Sequence, residues 1–101
     1  MALHPDFQKI LPTILKILKS DRVKAAYIFG SAVTDRFNKE SDLDFFVEID
    51  DRDLDSYVEE WWRILFALED ETGRAIDLIT PSSLKNKYFR QEVLETRERL
   101  L

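Results

Sequence analysis

Apolar residues recur along this chain in two different periods, and the alternation of those periods lays out its elements. Over residues 5–19, Phe7, Ile10, Leu11, Ile14, Leu15 and Leu18 return every three or four positions, as one face of a helix requires. Pro5 suits the first turn of that helix, and Lys16 and Lys19 suit its negative end. Pro12 predicts a kink or a later start, because proline removes a helical hydrogen bond. After the turn Ser20-Asp21-Arg22, Val23 to Phe29 is a largely apolar strand of the kind buried in a sheet. Gly30 permits a sharp departure, and Ser31 to about Phe37 predicts a short helix. A polar loop, Asn38 to Ser41, leads to a second strand, Leu43 to Ile49. There Leu43, Phe45, Val47 and Ile49 share one face, and Asp44, Phe46 and Glu48 the other.

The acidic stretch Asp50 to Asp55 reads as a solvated loop that places negative charge at the start of the next helix. That helix, Leu54 to about Thr72, is the longest, with Leu54, Val58, Trp61, Leu65 and Leu68 as its apolar stripe and Gly73 as its stop. Trp62 lies about 100° from Trp61 around the helix and falls at the rim or in a partner interface. Ala75 to Thr80 is a third strand, Pro81-Ser82-Ser83 a turn, and Phe89 to Leu100 a final charged helix. His4 falls at a frayed terminus. The arrangement is α/β: a small mixed sheet of about three strands, its first two antiparallel neighbours, covered by helices on one face and open at the other.

Bulk properties narrow the partners. With 101 residues and 45% hydrophobic content, residues 1–101 fit a single domain with one modest core. A net charge of −5 lacks the basic footprint of a nucleic-acid binder, so no nucleic-acid partner is expected. There is no cysteine, no signal-like N-terminus and no apolar run long enough to span a bilayer; the expectation is a soluble, cytoplasmic protein with no membrane partner.

The candidate chemistry sits between the first two strands. Gly30-Ser31 closes the first, ten residues intervene, and Asp42 and Asp44 open the second. Residues two apart on a strand point the same way, so these carboxylates project from one face about 7 Å apart along it. Crowded carboxylates repel, and a divalent cation that takes one or two carboxylates together with substrate phosphates is the usual compensation. Asp44 and Asp77 each stand within an apolar strand, where a charge needs a partner or a function. Arg74 is the candidate structural partner for Asp77.

The spacing G-S-x10-D-x-D, followed by Asp77 in Ala75-Ile76-Asp77-Leu78-Ile79, resembles the nucleotidyltransferase superfamily of DNA polymerase β. Within it, the chain is similar to the minimal nucleotidyltransferases that act as antitoxins to HEPN-domain toxins. The resemblance runs from about Val23 to Thr80, and more loosely to the C-terminus, and implies the palm-like fold of that superfamily. It implies two magnesium ions held by Asp42, Asp44 and Asp77, with ATP as the substrate. In that scheme Asp42 and Asp44 bridge both metals, and Asp77 binds the catalytic metal and helps deprotonate the acceptor hydroxyl. Gly30 and Ser31 bind the nucleotide phosphates. The implied activity is transfer of AMP from a nucleoside triphosphate to a hydroxyl, a tyrosine in particular, on a cognate HEPN toxin.

Two other functions stay open at this point: a binding module that neutralises the toxin by complex formation alone, and transfer to a small-molecule hydroxyl, which calls for a second domain or a homo-oligomer. One departure is plain. Many members follow Gly-Ser and a small residue with Arg and Gly, whereas this chain reads Ala32-Val33-Thr34-Asp35-Arg36, leaving Arg36 as the substitute base. Lys85, Lys87 and Arg90 form a basic patch that reads as a solvated face.

Overall fold

A computed structural model describes residues 3–101. Helix α1, Pro5–Leu18, begins at His4, whose ring nitrogen accepts the Asp6 N–H, and buries Phe7, Ile14 and Leu18. The His4 N–H also donates to the Ala32 carbonyl at 2.9 Å, so this end is tied to the body of the protein and not frayed. Pro12 lies inside the helix on its exposed side and neither delays nor ends it. The Gln8 carbonyl it leaves without a helical donor sits on the same wet face, where water can serve it.

Strand β1, Val23–Phe29, and strand β2, Leu43–Ile49, pair antiparallel, with Phe29 opposite Asp44. Helix α2, Leu54–Thr72, is capped by Asp53 and stopped by Gly73 in the left-handed region at φ 65°. It carries the chain over to strand β3, Ile76–Ile79, which pairs parallel to β2 with Asp77 opposite Asp44. A parallel neighbour needs such a crossover, and α2 supplies it. Helix α3, Lys87–Thr96, capped by Asn86, ends earlier than the sequence suggests. Glu98–Arg99 then forms a short strand β4 antiparallel to β1, giving a four-stranded sheet in the order β3-β2-β1-β4.

Two apolar clusters flank the sheet. The larger lies between the sheet and helices α1 and α2, and contains Leu43, Phe45, Val47 and Ile49 as their alternation requires. The smaller, Phe29, Phe46, Ile79, Leu84 and Val93, lies on the opposite face beneath α3. That face is therefore partly covered, and the site opens beside α3 and not across a bare sheet.

Two further readings change. The helix expected over Ser31–Phe37 is only a 3-10 turn, Gly30–Val33. β-branched Thr34 is extended there, and both its N–H and its hydroxyl donate to the Ser31 carbonyl, which closes the turn. The buried side of α2 is also rotated from the expected stripe. Ile64 and Leu68 are buried with Tyr57, Trp61 and Leu65 against them, while Leu54 and Val58 are 73% and 43% exposed.

Candidate active site

The site is built where β1 stops. Gly30 has φ +73°, a conformation that side-chain-bearing residues rarely adopt. A Cβ at this position would collide with the Asp44 carboxylate, whose Cγ would lie only 3.1 Å from it. Glycine is thus needed twice, for the turn and for the close approach. The 3-10 turn that follows starts with backbone N–H groups that have no partner within the turn, and its residues Gly30, Ser31 and Val33 line the cleft.

Opposite them stand the carboxylates. Asp44 is half-buried in the central strand, and Asp77 is its exposed cross-strand neighbour on β3. Asp42 lies just before β2, exposed and outside the cleft lining, yet close enough for its charge to act on Asp44. Burial raises the Asp44 carboxyl from 3.8 to about 6, and the negative charges of Asp77 and Asp42 push in the same direction. Arg74 does not relieve this crowding. Its guanidinium donates to the Asn38 and Ser41 carbonyls at 2.8 and 2.7 Å and stacks 4.5 Å over Phe37. Arg74 therefore holds the polar loop that delivers Asp42, and among the described residues Asp77 has no ion pair.

These groups line a cleft of about 680 Å³. Gly30, Ser31, Asp44 and Asp77 form one side of it, with Arg36 as the only basic lining residue among the described residues. The other wall is Phe89, Glu92 and Thr96 of α3 and Glu98 of β4, which the sequence reading did not anticipate. Their spacing of three and four on one helix face is the signal that could have flagged the first three. Lys85, Lys87 and Arg90 are exposed and do not line the cleft.

Among the described residues, no three acidic or histidine side chains converge closely enough to hold a metal unaided. Magnesium does not require that. It commonly takes one or two carboxylates and completes its shell with phosphates and water. Asp44 and Asp77, a pair of oxygen donors in mutual repulsion in an open cleft, fit such an ion.

The family model described as polymerase beta, nucleotidyltransferase matches residues 12–101. The chain belongs to this family. A nucleotidyltransferase with these carboxylates at these positions has its catalytic and nucleotide-binding candidates on facing strand ends, as the cleft requires. One relative is the "Putative protein adenylyltransferase" of Methanocaldococcus jannaschii, 34% identical over 91 residues that cover 89% of this chain and 90% of that protein. Among solved structures, the chain is similar to one in a complex of tri-AMPylated Shewanella oneidensis HEPN toxin with MNT antitoxin. That match has a TM-score of 0.64 and 23% identity over 93% of this chain and 71% of the other. A toxin–antitoxin structure with AMP-PNP matches with a TM-score of 0.65 and 19% identity, over 93% and 72% of the two chains. Likeness at these identities concerns the nucleotidyltransferase fold. Among the described residues, no helix is long and apolar enough to cross a membrane.

Proposed function

We propose that this nucleotidyltransferase is a magnesium-dependent, ATP-binding antitoxin that moves AMP from ATP to a tyrosine hydroxyl of a HEPN-family toxin. The observation that carries this reading is Asp44, a carboxylate raised to about 6 and set against Gly30 and Asp77 in an open cleft. The AMPylated toxin in one structural neighbour and AMP-PNP in another support the donor and the acceptor class.

The residues divide the work. Gly30 and Ser31 present backbone N–H groups to the nucleotide phosphates, and Arg36 offsets part of their charge. Asp44 and Asp77, with Asp42 beside them, would hold magnesium together with the nucleotide phosphates, and the ion would supply charge stabilisation for the attacking and leaving oxygens. Asp77, more exposed than Asp44 and within the cleft, accepts the proton of the acceptor hydroxyl. The acceptor oxygen bonds to the α-phosphorus, the bond to the β-phosphate oxygen breaks, and pyrophosphate leaves.

The test is the intact mass of a HEPN-family toxin after incubation with this chain, ATP and magnesium. The expected result is an AMP adduct that disappears with Asp42→Ala/Asp44→Ala or with a chelator. A stable complex that neutralises the toxin without any adduct would replace transfer with plain binding.

A further inference from the structure

Helix α2 buries one face against the core and leaves a second apolar face uncovered. Leu54, Val58, Trp62 and Phe66 stand at four-residue intervals, with exposures of 73%, 43%, 46% and 58%. Residues at this spacing line up along a helix surface. Trp62 and Phe66 stack with ring centroids 5.2 Å apart, and Trp62 meets Trp61 edge-on at 4.9 Å, so the middle of the row is a packed aromatic ridge. None of the four lines the cleft.

The charges that α2 itself sets beside the row are acidic, and of these Glu59 is paired with Arg22 at 3.8 Å, which leaves Asp55, Glu69 and Asp70 unpaired among the described residues. Asp55 and Glu59 border its N-terminal half, and Glu69 and Asp70 its C-terminal half; all four are exposed. The single basic residue of α2 is Arg63. Its guanidinium turns inward to Glu60 and to the Ile17 carbonyl, so it does not offset this rim.

An apolar row in an acidic frame selects its occupant. A second copy docked on the same face sets acid against acid. An antiparallel arrangement places Asp55 and Glu59 over Glu69 and Asp70, a parallel one places each over itself, and the chain is already at −5. An anionic lipid surface meets the same repulsion. We propose that the outer face of α2 is a protein-docking surface for an amphipathic helical segment whose apolar row is flanked by lysines and arginines. Trp62 and Phe66 are its anchors, as large aromatics are in most interfaces. The acidic rim gives orientation and a fast, salt-sensitive encounter. This surface is independent of AMP transfer, since it shares no residue with the cleft, and the two can fail separately.

Two labelled synthetic helices with the same leucine row, one flanked by lysines and one by glutamates, provide the probe, with binding read by fluorescence anisotropy and by the part of the tryptophan emission change that Trp62→Phe removes. The lysine-flanked helix should bind at least about tenfold tighter than its glutamate counterpart, and more weakly as salt rises. Trp62→Ala/Phe66→Ala should lose about tenfold or more in affinity with an unchanged circular dichroism spectrum, because both side chains are exposed. Asp55→Lys/Asp70→Lys should shift the preference toward the glutamate-flanked helix. Three results would overturn the proposal. One is no binding of the lysine-flanked helix, or equal binding of the two. Another is dimerisation in sedimentation velocity that Trp62→Ala/Phe66→Ala abolishes. The third is a Trp62-dependent emission shift on phosphatidylcholine–phosphatidylglycerol vesicles, which would make the face a membrane contact.

Discussion

Two of the acidic side chains drawn from solvent, Glu60 and Asp44, are treated by their surroundings in opposite ways. Glu60, only 3% exposed between α2 and α1, accepts hydrogen bonds from Arg63 at 2.6 and 3.1 Å and another from the Ser20 hydroxyl. The Arg63 hydrogen bond holds its carboxyl below the usual range in spite of burial, with Ser20 adding to the effect. Asp44, half-buried in the central strand, has carboxylates and a glycine turn where Glu60 has a guanidinium, and its carboxyl rises to about 6. A compensated buried carboxylate is part of the framework. An uncompensated one in a cleft is held at a cost in stability, and such a cost is typical of functional sites.

If that contrast is right, substitutions at the two places must separate activity from stability. The largest effect is expected from Asp44→Ala or Asp77→Ala, each lowering the AMP-transfer rate by about a thousandfold with little loss of folded protein. Glu60→Ala should do the reverse. Loss of charge-assisted bonds to a buried acid costs about 3 kcal/mol, lowering the melting midpoint by more than about 10 °C while transfer per folded molecule stays within about twofold. Gly30→Ala belongs on the cleft side, cutting transfer by about a hundredfold as Asp44 is pushed from its place, and it also destabilises because of the positive φ.

The smallest effects are the most discriminating, because the two acids carry opposite pH signatures. Glu60 has a lowered carboxyl, so its contribution to stability is present above 4.5 and is lost as pH falls below it. Asp44 has a raised one, so between 3.8 and about 6 the folded state holds the proton more tightly, and stability falls as pH rises through that window. Above about 6 Asp44 is charged and uncompensated. Asp44→Asn should therefore stabilise the protein at pH 7 by about 1 kcal/mol, after allowance for solvent screening, and lose that advantage below 4. Thermal melts of wild type, Asp44→Asn and Glu60→Gln across pH 3.5–8 measure both slopes.

Much of the cleft was legible in the sequence because its parts depend on spacing. Strand β2 is found at Leu43–Ile49 as expected, since its alternation fits one register only. Gly30, Ser31, Asp44 and Asp77 meet because a glycine turn and two in-strand acids leave few ways to fold. Strand β4 was hidden for the opposite reason. Glu98-Arg99 pairs through its backbone with Tyr27 and Ile28, and its charged side chains carry no strand pattern. The face of α2 was misread because apolar Leu54 and Val58 are exposed while Glu60 is buried, and a count of apolar positions cannot see that Arg63 and Ser20 make that burial tolerable. The α3 wall was missed because Glu92 and Thr96 look like any solvated helix side until the chain closes over the sheet.

The most direct test is the intact mass of the HEPN protein after incubation at pH 7 with ATP, magnesium and either Asp44→Asn or Glu60→Gln. No AMP adduct is expected from Asp44→Asn, the more stable of the two proteins, and a full adduct from Glu60→Gln. An adduct formed by Asp44→Asn at the wild-type rate would contradict the assignment of the buried carboxylate to the transfer reaction.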